Sequence, residues 1–127
     1  MEKLNKKILI VEDEKYLLDI MKEELEDAGF AVVTAADGQE GLIAIEKENP
    51  DLMLLDIAMP KMDGIQVLRE LKNKDKTIPV IMLTNLDDLD HVGKALDLGL
   101  SDYLVKSNWK LEEVIKRVKE KLDLSMN

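Results

Sequence analysis

Ile8-Leu9-Ile10-Val11-Glu12-Asp13-Glu14 sets four consecutive aliphatic residues directly against three carboxylates. A run with no polar alternation is what a strand buried on both faces requires, the condition of a central strand in a parallel sheet. Four further short apolar runs follow, at residues 31–35, 52–55, 80–83 and 103–105. The segments between them carry helical spacing. Leu17, Ile20, Met21 and Leu25 recur at i, i+3, i+4 and i+8, and Gly29 follows as a stop. Leu111, Val114, Ile115, Val118 and Leu122 repeat the pattern near the carboxyl end, and residues 38–48, 65–74 and 87–98 supply three more helices. Strand–helix alternation five times over predicts a doubly wound α/β fold: a five-stranded parallel sheet with helices on both faces.

The 127 residues, 46% of them hydrophobic, suit one core and one domain, 1–127, with its core at about 6–122. No linker or change of composition divides the chain. With 27 acidic against 18 basic residues the net charge is −9, which disfavours phosphate backbones and anionic membranes, so no direct nucleic-acid binding is expected. The absence of cysteine excludes disulfides, thiolate metal sites and a thiol nucleophile. The basic amino end is followed by too short an apolar run for a signal segment, and residues 78–83 are too few to span a bilayer. A cytoplasmic protein with no membrane insertion is the expectation.

In doubly wound sheets the site lies beyond the carboxyl ends of the strands. The first strand ends in Glu12-Asp13, the third in Asp56, the fourth in Thr84 and the fifth in Lys106, whereas the second ends blandly in Ala35-Ala36. Each of these alone reads as a helix cap or a surface charge. Four reactive strand ends on one rim read differently. Three carboxylates close together repel unless a cation intervenes, and oxygen-only ligands suit Mg2+. With the metal bound, one carboxylate is free to act as nucleophile toward a phosphoryl group, a transfer that needs positioning and charge neutralisation above all. Asp56 ends the central strand and opens a loop, so it is the best nucleophile; Lys106 adds positive charge and Thr84 a hydroxyl donor.

These segments, together with Asp56-Ile57-Ala58-Met59-Pro60-Lys61-Met62-Asp63-Gly64, Val80-Ile81-Met82-Leu83-Thr84 and Ser101-Asp102-Tyr103-Leu104-Val105-Lys106, resemble the receiver domain of two-component response regulators, in register over nearly the whole chain. The resemblance implies a sheet of flavodoxin-like order 2-1-3-4-5 and a phosphorylation-activated switch. Asp56 would be the phosphoacceptor, Thr84 the switch hydroxyl, Tyr103 the switch aromatic and Lys106 the phosphate-binding lysine. Mg2+ would be held by Asp13, Asp56 and the backbone carbonyl of Ala58, with Glu12 acting through water. The phosphoryl group would come from a sensor histidine kinase, a phosphotransfer protein or a small acyl phosphate. The change would be read by a downstream protein target on the face of the fourth helix, fifth strand and fifth helix, and a homodimer formed on phosphorylation stays open. Such a protein is no enzyme beyond its own phosphorylation and dephosphorylation.

Two residues depart from the family's pattern. Ser107 stands where proline, with a cis bond, is usual; a trans Lys106–Ser107 bond is expected, because a non-proline cis bond costs about 2.5–4 kcal/mol. Asn85 is larger and more polar than the residue usual after the switch hydroxyl. Ala58 and Leu86, the flanks of the water approach in the family, are both apolar, which implies slow self-dephosphorylation. Met59 to Gly64 is turn chemistry with no catalytic role for Asp63. His91 reads as surface, Asp87, Asp88 and Asp90 as helix caps, the methionines as core, and Trp109 as a local or partner contact. Gly38 and Gly41 lack the Lys-Ser/Thr of a phosphate loop.

The competing readings are three. A flavin protein of the same fold needs a phosphate cradle where Glu12-Asp13-Glu14 would repel it. A haloacid-dehalogenase-like phosphatase needs a second Asp where Ala58 stands. A degenerate receiver, acting as a phosphorylation-independent binding module, conflicts with the intact Glu12, Asp13, Asp56, Thr84 and Lys106. A chain ending at Asn127 leaves no room for a DNA-binding effector, so either a stand-alone regulator or a piece of a longer one is expected.

Overall fold

In the computed structural model, residues 4–59, 62–85, 89–100, 102–106 and 110–122 are described. Strands and helices alternate: β1 (Lys7–Val11), α1 (Lys15–Asp27), β2 (Ala31–Ala35), α2 (Gly38–Glu48), β3 (Leu52–Asp56), α3 (Gly64–Asn73), β4 (Val80–Thr84), α4 (Leu89–Asp97), β5 (Tyr103–Val105) and α5 (Leu111–Lys121). All strand pairs are parallel, in the order β2-β1-β3-β4-β5. This is the fold expected from the alternation, in the strand order that the resemblance implies.

Burial follows position in the sheet. The central strands β3 and β4 are buried throughout and β1 after its first residue, while the edge strands β2 and β5 are mixed. The period of two along each strand sorts side chains to two faces. Ile8, Ile10, Leu52, Leu54, Ile81, Leu83 and Leu104 pack under Met21 and Leu25 of α1 and Val114 and Val118 of α5. Leu9, Val11, Met53, Leu55, Val80 and Met82 pack under Ile45 of α2, Val67, Leu68 and Leu71 of α3, and Val92 and Ala95 of α4. Each deeply buried Leu or Ile on these faces contributes roughly 1.5–3 kcal/mol of transfer free energy.

Turn chemistry sets the helix starts on the functional rim. Asp37 accepts the Glu40 amide at the start of α2, and Asp63 forms a reciprocal capping box with Gln66 at the start of α3. Asp63 is thus a cap, in line with its reading as turn chemistry. Among the described residues, no helix is long and apolar enough to cross a membrane. Leu86, Asp87, Asp88, Ser107 and Trp109, and the side chain of Asp90, lie outside what is described, and with them the readings made of those residues and the geometry of the Lys106–Ser107 bond.

Candidate functional site

The parallel register brings the carboxyl ends of β1, β3, β4 and β5 to one rim. Val11 pairs with Leu55, Asp56 with Leu83, and Thr84 with Val105, so Glu12, Asp56, Thr84 and Lys106 end up side by side. Glu12 is held by its backbone amide, which donates to the Ala35 carbonyl at 3.1 Å. Its side chain is fully buried, and Oε2 accepts the Glu14 amide at 3.1 Å. That bond matters locally, because Glu14 is the N-cap of α1 and its own side chain caps nothing.

Asp56 is 2% exposed. The Lys106 ammonium reaches back from the end of β5, 2.8 Å from Glu12 Oε1 and 3.1 Å from Asp56 Oδ1. Both contacts are made by charge. Neither oxygen has a properly directed hydrogen bond, although both are buried. Asp13 is exposed, and its carboxylate, with those of Glu12 and Asp56, places three oxygens within 4.8 Å of one another. Burial, reinforced by the Glu12 charge, raises the Asp56 pKa to about 7 against the lowering pull of Lys106. Burial pulls the Lys106 ammonium down, but its contacts with Glu12 and Asp56 outweigh this and hold it above the ordinary lysine value.

This arrangement fits a hard divalent cation. Two buried carboxylate oxygens lack directed donors, a third carboxylate opens to solvent, and every ligand on offer is oxygen. Ala58 is exposed on the bend two residues past Asp56.

Thr84 is fully buried, and its hydroxyl donates to the Asn85 carbonyl at 3.0 Å. Asn85 itself is exposed. Tyr103 is 40% exposed and pairs with Met82.

The loop after Asp56 is pulled back onto β3. The Gly64 amide donates to the Ile57 carbonyl at 2.9 Å, and a Cβ on Gly64 would lie 2.7 Å from the Asp56 carbonyl oxygen. Gly38 and Gly41, read in the sequence only as failing a phosphate-loop pattern, are tight contacts as well. A Cβ at Gly41 would meet Val11, and one at Gly38 would meet the Met62 carbonyl. The signal was there to find: two glycines three residues apart in the first turn of a helix, where each costs about 1 kcal/mol relative to alanine.

Residues 8–119 match the family described as the response regulator receiver domain. The chain belongs to that family. This receiver domain is 41% identical over 116 residues to the alkaline phosphatase synthesis transcriptional regulatory protein PhoP of Bacillus subtilis, covering 91% of this chain and 48% of that protein. It is 47% identical to the probable transcriptional regulator ycf27 of Cyanophora paradoxa, over 84% of this chain and 44% of that one. It thus spans about half the length of these relatives. Among solved structures, the receiver domain of a Francisella response regulator superposes with a TM-score of 0.85 at 34% identity, covering 94% of this chain and 98% of that one. The chemotaxis protein CheY4 of Vibrio cholerae superposes with a TM-score of 0.82 at 29% identity, over 91% of this chain and 97% of that one. Receiver domains are signalling domains rather than enzymes in the ordinary sense.

Proposed function

We propose that this receiver domain is a switch set by phosphorylation of Asp56 and read through the face formed by α4, β5 and α5. The observation that carries the proposal is the placing of one buried aspartate beside two further carboxylates and a lysine ammonium, at the end of the central strand. In the transfer, an Asp56 carboxylate oxygen attacks phosphorus as the bond to the donor breaks. With a sensor histidine kinase or a phosphotransfer protein as donor, the P–N bond of a phosphohistidine breaks and the imidazole leaves. With a small acyl phosphate as donor, the carboxylate of the acyl group leaves.

Asp13, Asp56 and the Ala58 carbonyl would hold Mg2+, with Glu12 acting through water; when bound, the metal neutralises charge on the phosphoryl oxygens. Lys106 would turn from the Glu12 and Asp56 carboxylates to a phosphoryl oxygen, keeping its ammonium paired with negative charge throughout. Thr84 has one hydroxyl proton, now donated to the Asn85 carbonyl. Redirecting it to the phosphoryl group frees that carbonyl and biases the segment leading into α4. Tyr103 stands partly exposed on the adjoining strand, within the same face. A downstream protein, or a second copy of the domain, would read that face.

Labelling with a small acyl phosphate in Mg2+ tests the reading. Wild type should take up one phosphoryl group per chain, Asp56→Asn none, and a chelator should abolish uptake. Full labelling of Asp56→Asn would overturn the nucleophile assignment.

A further inference from the structure

Four strand ends present reactive side chains to the rim, whereas β2 presents none. Its turn into α2 nonetheless touches the phosphoacceptor loop. A Cβ at Gly38 would lie 2.4 Å from the Met62 carbonyl oxygen and 2.8 Å from Val67 Cγ2. The glycine is thus in van der Waals contact with the backbone of the loop joining β3 to α3. Gly38 is itself anchored, because Asp37 caps α2 through the Glu40 amide at 2.8 Å. Met62 in turn immediately precedes Asp63, the cap of α3, and Gly64, whose amide closes the loop onto Ile57 beside the Asp56 carbonyl.

We propose that Gly38 is a positioning residue for the metal and phosphoryl site: its bare backbone lets the loop seat at the depth that Asp56 and Ala58 need. The inference rests on the functional reading above and adds to it a residue from the one strand end that carries no reactive group. A methyl group at position 38 must push the Met62 carbonyl away by roughly 1 Å to restore ordinary contact. The carbonyl belongs to backbone, so no side-chain rotation relieves it. Metal–oxygen distances tolerate only about 0.2 Å, and Mg2+ demands near-octahedral geometry. Met62 holds no metal itself, but about a fifth of that displacement passed along the loop to the Ala58 carbonyl uses up the tolerance, so divalent binding should weaken about tenfold.

Gly41 supplies the control. It lies on the same helix, and a Cβ there would meet Val11 Cγ2 at 2.9 Å, an insult directed at the core and away from the loop. Mn2+ binding is measured by electron paramagnetic resonance of the free ion, on the full chain, for wild type, Asp13→Asn, Gly38→Ala and Gly41→Ala, with urea unfolding of each. Gly38→Ala should weaken Mn2+ about tenfold, whereas Gly41→Ala should lose stability with its Mn2+ affinity within about twofold of wild type. Equal affinities for Gly38→Ala and wild type overturn the positioning role alone. Affinity lost equally in both glycine variants reduces it to general destabilisation, and also overturns it. If wild type binds Mn2+ no better than Asp13→Asn, the metal-site reading falls and this inference with it. A measurement on unaltered protein covers failure of Gly38→Ala to fold: on Mg2+ addition the Gly38 amide should shift together with those of residues 56–59 and 62–64, while the Gly41 amide stays. A silent Gly38 amide overturns the proposal.

Discussion

Thr84 and Tyr103 project from the same side of the sheet, one strand apart. Tyr103 pairs with Met82, and Thr84 lies two residues beyond Met82 on the same alternation. Both therefore stand on the α4 side, opposite Leu83 and Leu104, which pack toward α1 and α5. A pull on the Thr84 hydroxyl from the rim is thus delivered to the side on which Tyr103 is exposed. Thr84→Ala should still label at Asp56, but the amide shifts that labelling causes across α4, β5 and α5 should shrink by about half or more. Undiminished shifts in that variant would show that the signal leaves the site by another route.

Lys106 sets a single positive charge between two buried carboxylates. Lys106→Ala leaves Glu12 and Asp56 facing each other without a cation, so metal-free protein should lose about 3 kcal/mol of stability while remaining folded. Mg2+ should restore part of that loss, since it supplies the missing positive charge. Phosphorylation should no longer reach the output face. Urea titration with and without Mg2+ tests the first two outcomes, and a loss below about 0.5 kcal/mol would contradict the pairing argument.

Asp56 makes metal-free stability depend on pH. Its pKa is about 7 in the folded protein against an ordinary 3.8, so between these values the folded state retains a proton that the unfolded chain releases. Stability from this group is therefore full at the acidic end, falls as pH rises toward 7, and is level above it. In chelator, wild type should lose roughly a few kcal/mol relative to Asp56→Asn between pH 5 and 7.5. Unfolding both proteins in urea at the two pH values decides it; a difference that does not change with pH sinks the idea.

Self-dephosphorylation should be slow. Ala58 has no side-chain donor or acceptor with which to hold an attacking water, and Asn85, the nearest polar candidate, is exposed. After removal of the donor, labelled wild type should persist well beyond seconds in Mg2+, and Ala58→Asn should decay faster. Decay within seconds, or an Ala58→Asn rate equal to wild type, would count against water access as the control. Slower decay of Asn85→Ala would make the Asn85 amide the group that holds the water.

Much of the fold was legible in local order. Residues 8–11, 52–55 and 80–83 have no polar alternation, and they lie in the three central strands; the more mixed 31–35 and 103–105 form the edges. The helix faces at Met21 and Leu25, and at Val114 and Val118, were readable from spacing alone. The strand ends pointed to Glu12, Asp13, Asp56, Thr84 and Lys106 as neighbours, because a parallel sheet aligns its carboxyl ends.

The sequence by itself determined which residues stand at those ends, since hydrophobic period and run length are local properties that the chain carries in any context. Only the tertiary structure decided which atoms meet. That the Lys106 ammonium sits between Glu12 and Asp56, that the Thr84 hydroxyl bonds the Asn85 carbonyl, and that Gly38 abuts Met62 all depend on backbone approach between segments far apart in the chain. Gly38 makes the limit plain. Its contribution is a missing side chain, and a missing side chain has meaning only against the neighbour it admits.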